Sequence, residues 1–404
     1  MNEKNPLRPV LADLYKRWTL HMLYPSRYQK LIKEKPVKGN KIVFLEVRMK
    51  KLTDSFIPVY LALKKSGKWK IRCIFLQQDM ADRKTVRARS LKALNDLADA
   101  KYIFINDSCN LIGSLPLRKE TEVIQLWHAC GAFKKFGYSL TGKKFGSQKE
   151  ELDRFPLYRN FSWVSVSSPE IVWAYADAFS LPEDRILPLG IPRTDVFYHS
   201  AAMKRAKEKL SEKLPECFSG GRKRKVVLYA PTFRGRVATA VSPRLPDFAA
   251  LRKQLPGDDW LFVCKHHPFV KRRPELPEDL NDFVRDLTED MTIEELLMVS
   301  DVCISDYSSI VFEYSLFERP MVFYAPDLED YDDWRGFYYP YEEMTPGPIV
   351  KTTQEIGDYL LNLDERFDQD RIHEFRQFFM SSCDGKATKR ILKLLEEDEE
   401  NTDS

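Results

Sequence analysis

Val302-Cys-Ile-Ser-Asp-Tyr-Ser-Ser-Ile-Val-Phe-Glu-Tyr-Ser315 packs a strand, a turn and the start of a helix into one short stretch. The apolar run Val302–Ile304 stops at Ser305. The polar turn Asp306, Tyr307, Ser308, Ser309 then leads into a helical segment. Unpaired N–H groups at a helix start attract anions, and serine hydroxyls extend such a site. The same residues are also ordinary helix caps. Glu313 lies about one turn into the helix, within reach of a ribose.

The pattern repeats in both directions. Strand-like runs stand at Lys41–Val47, Ile71–Leu76, Tyr102–Ile105, Val123–Trp127, Trp163–Val166 and Ile186–Leu189, then at Val226–Tyr229, Trp260–Cys264, Val302–Ser305 and Met321–Tyr324. Helical patterns lie between several of them, including Ser55–Lys65 and Val86–Ala100, and Thr292-Ile-Glu-Glu295 reads as a capping box. Continuous apolar strands alternating with helices predict parallel sheets covered on both faces. A chain of 404 residues is too long for one ordinary core. The expected division is a basic segment 1–38, an α/β lobe 39–200, a linker region 201–225 in which a helix precedes Ser219-Gly220-Gly221, an α/β lobe 226–395 and a frayed acidic tail 396–404. The last two helical patterns read as 353–363 and 371–395.

Charge narrows the function. The net charge is +4, but residues 1–40 carry nine Lys/Arg against Glu3, Asp13 and Glu34, which leaves the remainder slightly acidic. A nucleic-acid partner is not expected from that distribution. Leu11, Leu14, Tyr15, Trp18 and Met22 follow helical spacing among Lys16, Arg17, Arg27, Lys30 and Lys33. Two readings stand: an amphipathic anchor on anionic lipid, or a helix packed on the protein's own body. There is no apolar stretch long enough to span a bilayer. Seven cysteines without a CxxC pair point to a reducing compartment rather than to disulfides or zinc.

Three further strand ends deliver polar groups. Gln125-Leu-Trp-His-Ala-Cys-Gly-Ala-Phe-Lys-Lys-Phe-Gly137 presents His128, a residue type that accepts a proton near neutral pH. Tyr229-Ala-Pro-Thr-Phe-Arg234 presents Thr232 and Arg234, whose guanidinium can fork onto a phosphate. Lys265-His-His-Pro268 presents Lys265, His266 and His267, an anion-binding set without partners at zinc spacing. Gly137-Tyr-Ser-Leu-Thr-Gly-Lys-Lys144 imitates a P-loop, but Lys144 replaces the required hydroxyl and the strand is too far away.

In this order the motifs resemble the CDP-glycerol glycerophosphotransferase family, the primases and polymerases of teichoic acid synthesis. The likeness rests on QLWHACGAFKKFG, LGIPRTDVF (189–197), LYAPTFRG, KHHPF and SDYSSIVFEYSLFERPMVFYAPD with its trailing YDDWRGFYY. One departure is Ala129-Cys130-Gly131 after His128, where the family often has glycine at once. The resemblance implies two Rossmann-like lobes of GT-B type with the active site between them, the N-terminal lobe toward the acceptor and the C-terminal lobe holding the donor. It implies His128 as base and His267 as a second active-site histidine. Thr232, Arg234, Ser308 and Ser309 would hold the diphosphate and Glu313 the ribose, with Lys265, His266 and Asp306 as further candidates. The donor would be CDP-glycerol, or else CDP-ribitol, and the acceptor a lipid-linked saccharide or polymer at the cytoplasmic face of a bacterial membrane. No obligatory metal is implied, and Mg²⁺ accompanying the nucleotide stays open. A GT-B glycosyltransferase using a nucleotide sugar and a non-catalytic polymer- or lipid-binding protein are the competing readings, and donor competition separates them.

Overall fold

A computed structural model describes residues 7–403 except Asp54, Asp79, Phe145, 218–223, 236–238 and Arg335. Two helices open the chain, α1 (Leu7–Trp18) and α2 (Tyr24–Glu34). Six strands follow: β1 (Lys38–Glu46), β2 (Lys70–Phe75), β3 (Ala100–Ile105), β4 (Glu122–Gln125), β5 (Trp163–Ser165) and β6 (Ile186–Leu187). They pair in parallel in the order β2-β1-β3-β4-β5-β6. The second sheet holds β7 (Lys225–Tyr229), β8 (Trp260–Cys264), β9 (Val284–Asp286), β10 (Val302–Ser305), β11 (Met321–Tyr324) and β12 (Ile349–Val350). Its order is β12-β11-β10-β7-β8-β9, again all parallel. Each sheet reverses its winding beside its first strand, between β1 and β3 and between β7 and β10. Open α/β sheets bind ligands beyond the strand ends at such switch points.

The chain forms two compact units. Unit 1 comprises 1–128, 136–195 and 382–404; unit 2 comprises 129–135 and 196–381. In unit 1, Ile42, Phe44, Tyr102, Phe104, Ile124 and Leu126 on the sheet meet Phe56, Val59 and Leu63 of the helix Phe56–Ser66, and Ile391 and Leu395 of the C-terminal helix close the cluster. In unit 2, Val227, Tyr229, Phe262, Cys264, Val302 and Ile304 pack with Phe248 and Leu251 of the helix Phe248–Gln254.

This division corrects the expected boundaries. The region 201–225 is not a linker: Ser200–Lys213 is a helix of unit 2 that buries Ala202, Ala206 and Leu210, and Lys209 pairs with Glu295 at 2.8 Å. The Ser219-Gly220-Gly221 candidate lies outside the described residues. The second lobe ends at Ser381, not 395, because the single helix expected over 371–395 is two helices, Gln369–Met380 and Ala387–Asp403. Between them the Ser381–Lys386 segment turns the chain back to unit 1. The acidic tail is helical to Asp403, and Asp398 accepts from the Tyr102 hydroxyl at 2.6 Å and pairs with Lys101 at 2.8 Å. The capping box at Thr292–Glu295 is present as read.

The N-terminal segment divides between its two readings. In α2, Tyr24, Tyr28 and Leu31 are buried, and the Arg118 guanidinium bonds the carbonyls of Ile32 and Lys35. In α1 and the turn after it these apolar residues face outward: Val10, Leu11, Leu14, Tyr15, Trp18 and Met22 are 44–62% exposed. No helix among the described residues is long and apolar enough to cross a membrane.

Candidate functional site

In unit 1, polar residues gather just beyond β1, β3 and β4. Glu46 ends β1 fully buried, and its carboxylate accepts from Thr53 Oγ1 at 2.8 Å and Asn106 Nδ2 at 3.0 Å. Asp107 follows β3, accepts from the Ser108 N–H at 2.7 Å and forms an ion pair with Arg48. His128 lies beside them, with its Nδ1 3.0 Å from the Asn106 carbonyl and 3.9 Å from Asp107 Oδ2. A carbonyl only accepts, so Nδ1 carries the proton and Nε2 carries the lone pair. The side chain is 42% exposed, which leaves Nε2 accessible to a substrate.

The backbone pays for this placement. Trp127 adopts φ +52°, a left-handed conformation that is strained for a bulky residue. The Gln125 side chain fixes it: Oε1 accepts from the Trp127 N–H at 2.8 Å, and Nε2 donates to the Asp107 carbonyl at 3.2 Å. The Trp127 ring stacks on Phe136 at 5.2 Å and lies 4.3 Å from the His128 ring. The displaced glycine is thereby explained, since the left-handed turn begins at Trp127 and Gly131 supplies a second positive φ of +62°. Sequence reading missed Glu46, Arg48, Asn106 and Asp107. Their signal was the one that found His128: polar residues immediately after an apolar strand.

In unit 2 the turn after β10 meets the loop after β7. Asp306 Oδ1 accepts from the Thr232 N–H at 2.7 Å, and Asp306 Oδ2 lies 2.8 Å from Arg234 Nη1. Arg234 also donates to Asp327 from Nε at 2.6 Å and Nη2 at 3.0 Å, and to the Thr232 carbonyl at 2.8 Å. Its guanidinium lies over the Tyr307 and Tyr331 rings at 5.0 and 5.3 Å. Burial opposes this charge, but the two carboxylates outweigh it and push the Arg234 pKa up; in return Arg234 overcomes burial and holds Asp327 below the usual carboxylate range. The expected bidentate grip on a phosphate is therefore not the arrangement found. Four contacts commit Arg234 to tying loops together. Thr232 is different: its Oγ1 is buried, with no hydrogen-bond partner among the described residues.

Of the three residues after β8, one is committed to backbone carbonyls. The Lys265 ammonium donates to the carbonyls of Thr288 and Met291, both at 2.6 Å, and burial lowers its pKa. His266 is buried, with Nδ1 3.5 Å from Ser242 Oγ. His267 lies between Phe233 and Phe269, at ring distances of 4.7 and 4.8 Å. Its Nδ1 accepts from the Phe269 N–H at 3.2 Å, so the neutral ring carries its proton on Nε2. Burial, helped by the positive charge of Lys134, pushes this imidazole down to about 4.

Ser308 and Ser309 are half-buried on the turn after β10. Ser309 makes no side-chain cap, and Ser308 Oγ lies 3.5 Å from the Ile310 N–H. The following helix, Ile310–Ser315, has only six residues, so its dipole is a smaller contributor than the sequence suggested. Glu313 within it is buried, 3% exposed. Among the described residues no three His, Cys, Asp or Glu side chains group as metal ligands.

The sequence pattern described as CDP-Glycerol:Poly(glycerophosphate) glycerophosphotransferase matches residues 27–397. The chain is 38% identical to the teichoic acid ribitol-phosphate primase of Bacillus spizizenii over 92% of this chain and 95% of that protein. It is 31% identical to the glycerol-phosphate primase of the same organism, over 76% of each. Among solved structures, that of the wall teichoic acid polymerase TagF soaked with CDPG superposes with a TM-score of 0.75 at 26% identity, covering both chains fully.

Proposed function

The chain belongs to the CDP-glycerol:poly(glycerophosphate) glycerophosphotransferase family, and from that premise we propose that it moves ribitol phosphate from CDP-ribitol to a hydroxyl of a lipid-linked teichoic-acid-type acceptor. It is a phosphotransferase that uses a CDP-polyol donor in wall-polymer synthesis. The choice of ribitol over the glycerol favoured by the sequence alone is supported by the higher identity to the ribitol-phosphate primase. The observation that carries the catalytic assignment is the fixed tautomer of His128 at the tip of β4.

The acceptor hydroxyl attacks the phosphorus bearing the polyol. The bond from that phosphorus to the bridging oxygen breaks, and CMP leaves. His128 Nε2 takes the hydroxyl proton, and Asp107 stabilises the imidazolium that results. Such a base contributes roughly 10²–10⁴-fold. The His267 Nε2–H donates to a phosphate oxygen, a role that needs a neutral ring rather than a titrating one. Thr232, Ser308 and Ser309 hydroxyls hold the diphosphate, and the Glu313 carboxylate accepts from the ribose. Phosphoryl transfer asks chiefly for positioning and charge stabilisation, which these donors supply.

The proposal extends to location. The outward apolar face of α1, with the basic residues of the N-terminal segment around it, suits the surface of an anionic membrane.

The deciding experiment supplies the purified chain with CDP-ribitol, CDP-glycerol or UDP-sugars and a lipid-linked disaccharide, and reads the products by mass spectrometry. Added ribitol phosphate is expected, and the number of units added separates a single transfer from polymerisation. Transfer from UDP-sugars alone would replace the reading with a glycosyltransferase. No transfer from any donor would favour a binding protein.

A further inference from the structure

His128 takes its tautomer from the Asn106 carbonyl, so whatever aims that carbonyl controls the nitrogen that carries the lone pair. The registered pairing of β3 ends at Ile105, opposite Leu45 of β1 and Gln125 of β4. Asn106 and Asp107 lie just beyond it and are oriented by side chains instead. Gln125 Nε2 donates to the Asp107 carbonyl. Asn106 is buried and its side chain is anchored through Nδ2, which donates to Glu46 Oε2 at 3.0 Å, while its Oδ1 has no partner among the described residues. A carboxylate only accepts, so the amide nitrogen and not the oxygen faces Glu46. The buried Glu46 reaches a second support of His128 as well. Its Oε1 accepts from the N–H groups of Arg48 at 3.4 Å and Met49 at 3.3 Å. That turn carries Arg48, whose guanidinium pairs with Asp107, and Asp107 Oδ2 stands 3.9 Å from His128 Nδ1. One carboxylate is thus joined, at one remove, to both groups that face Nδ1.

We propose that Glu46 is a positioning residue: one of its oxygens holds Asn106 and the other the turn that carries Arg48, and together they keep the His128 proton on Nδ1 and the lone pair on Nε2. This rests on the reading of His128 as the base given above. Glu46 acts through Asn106 and Arg48, not on a reacting atom. The role requires a carboxylate, because both ends must accept. In Glu46→Gln the amide offers an acceptor at one end only. Turned one way, its NH₂ meets Asn106 Nδ2 and that bond is lost. Turned the other way, it meets the N–H groups of Arg48 and Met49 and displaces the turn that carries Arg48.

The test uses the full chain with its histidines labelled with ¹⁵N, the His128 signals being assigned by their loss in His128→Gln. At about pH 8.5, above the ordinary histidine titration at about 6.5, NMR of the wild type should show a protonated Nδ1 and an unprotonated Nε2 at His128. Glu46→Gln and Asn106→Ala should both shift His128 toward the Nε2–H form. Their kcat should fall roughly 10- to 100-fold, with calorimetric donor affinity kept within about twofold. Thr53→Val is the comparison. It also takes one hydrogen bond from Glu46 Oε2 but leaves Asn106 in place, so it should lower the urea midpoint while keeping the wild-type tautomer and a kcat within about threefold. A wild-type His128 in the Nε2–H form, or an unchanged tautomer in folded Glu46→Gln and Asn106→Ala, overturns the inference while leaving the transferase reading intact. So does a loss of kcat in all three variants that follows stability alone. If Glu46→Gln does not fold, Asn106→Ala and the wild-type spectrum decide. A wild-type chain that transfers from no CDP-polyol removes the parent reading of His128 as base, and this inference with it.

Discussion

His128 and His267 use the same ring nitrogen in opposite senses. The first donates from Nδ1 to a carbonyl, and the second accepts at Nδ1 from an N–H. Only His128 therefore offers a lone pair at Nε2, so His128→Ala should lose about 10²–10⁴-fold in kcat while calorimetric donor affinity stays within twofold; near wild-type kcat would remove it from catalysis. His267 should be read in stability instead. Its folded pKa of about 4 lies below the ordinary value of about 6.5, so the unfolded chain binds this proton first as pH falls. The stability it contributes is complete above pH 6.5 and is lost between 6.5 and 4. Between pH 7 and pH 5 the wild type should lose about 2 kcal/mol more than His267→Gln. Urea titrations at the two pH values measure the difference, and parallel losses would mean the ring titrates normally. Residue identity at strand tips was legible in the sequence, but partnership was not. The guanidinium of Arg234 reads as a phosphate fork until Asp327, 93 residues later, is placed against it.

At the scale of elements, the long buried strands were legible because a parallel strand covered on both faces is a continuous apolar run. β9, reading Val-Arg-Asp, and β12, only two residues long, lack that run and exist by pairing with β8 and β11. The N-terminal helices show the limit of periodicity from the other side. One amphipathic pattern covers two fates: α2 buries Tyr28 completely, while α1 leaves its apolar face in solvent. Removing residues 1–38 would strip core packing and the first residue of β1 together, so substitution on α1 is the cleaner probe. Leu11→Glu, Leu14→Glu and Trp18→Glu combined should abolish flotation with anionic liposomes. The melting temperature should stay within a few degrees, because none of the three is buried. High salt should weaken the wild-type attachment without abolishing it, since apolar burial persists when charges are screened. Flotation of the triple variant at wild-type level would place the contact elsewhere.

At the scale of the whole molecule the chain passes between its units four times, after residues 128, 135, 195 and 381. Alternating strands and helices announced two α/β lobes. The returns were invisible because they depend on contacts between distant stretches. The motif LGIPRTDVF, conspicuous in the sequence, explains the last return. The Leu189 carbonyl accepts from Arg390 Nε at 2.7 Å. Gly190, at φ +85°, lies so close to the Ser382 carbonyl that a Cβ there would sit 2.2 Å from its oxygen. The Asp195 carboxylate accepts from the N–H groups of Ala387 and Thr388 at 3.0 and 2.8 Å, the first two residues of the C-terminal helix. That helix then places Ile391 and Leu395 in the core of unit 1, worth about 1.5–3 kcal/mol each when fully buried. The motif is thus a clamp that recruits the end of the chain. Asp195→Ala leaves two N–H donors without their acceptor, and loss of such a cap costs about 0.5–2 kcal/mol. The expected outcome is a lower urea midpoint, with hydrogen exchange rising most in β1, β3 and β4, while donor affinity, which the proposed site assigns to unit 2, is unchanged. Asp195→Asn keeps one acceptor oxygen and should recover part of the loss. Weakened donor binding at wild-type stability would give the opposite answer, making the motif part of the ligand site rather than the clasp on the C-terminal helix.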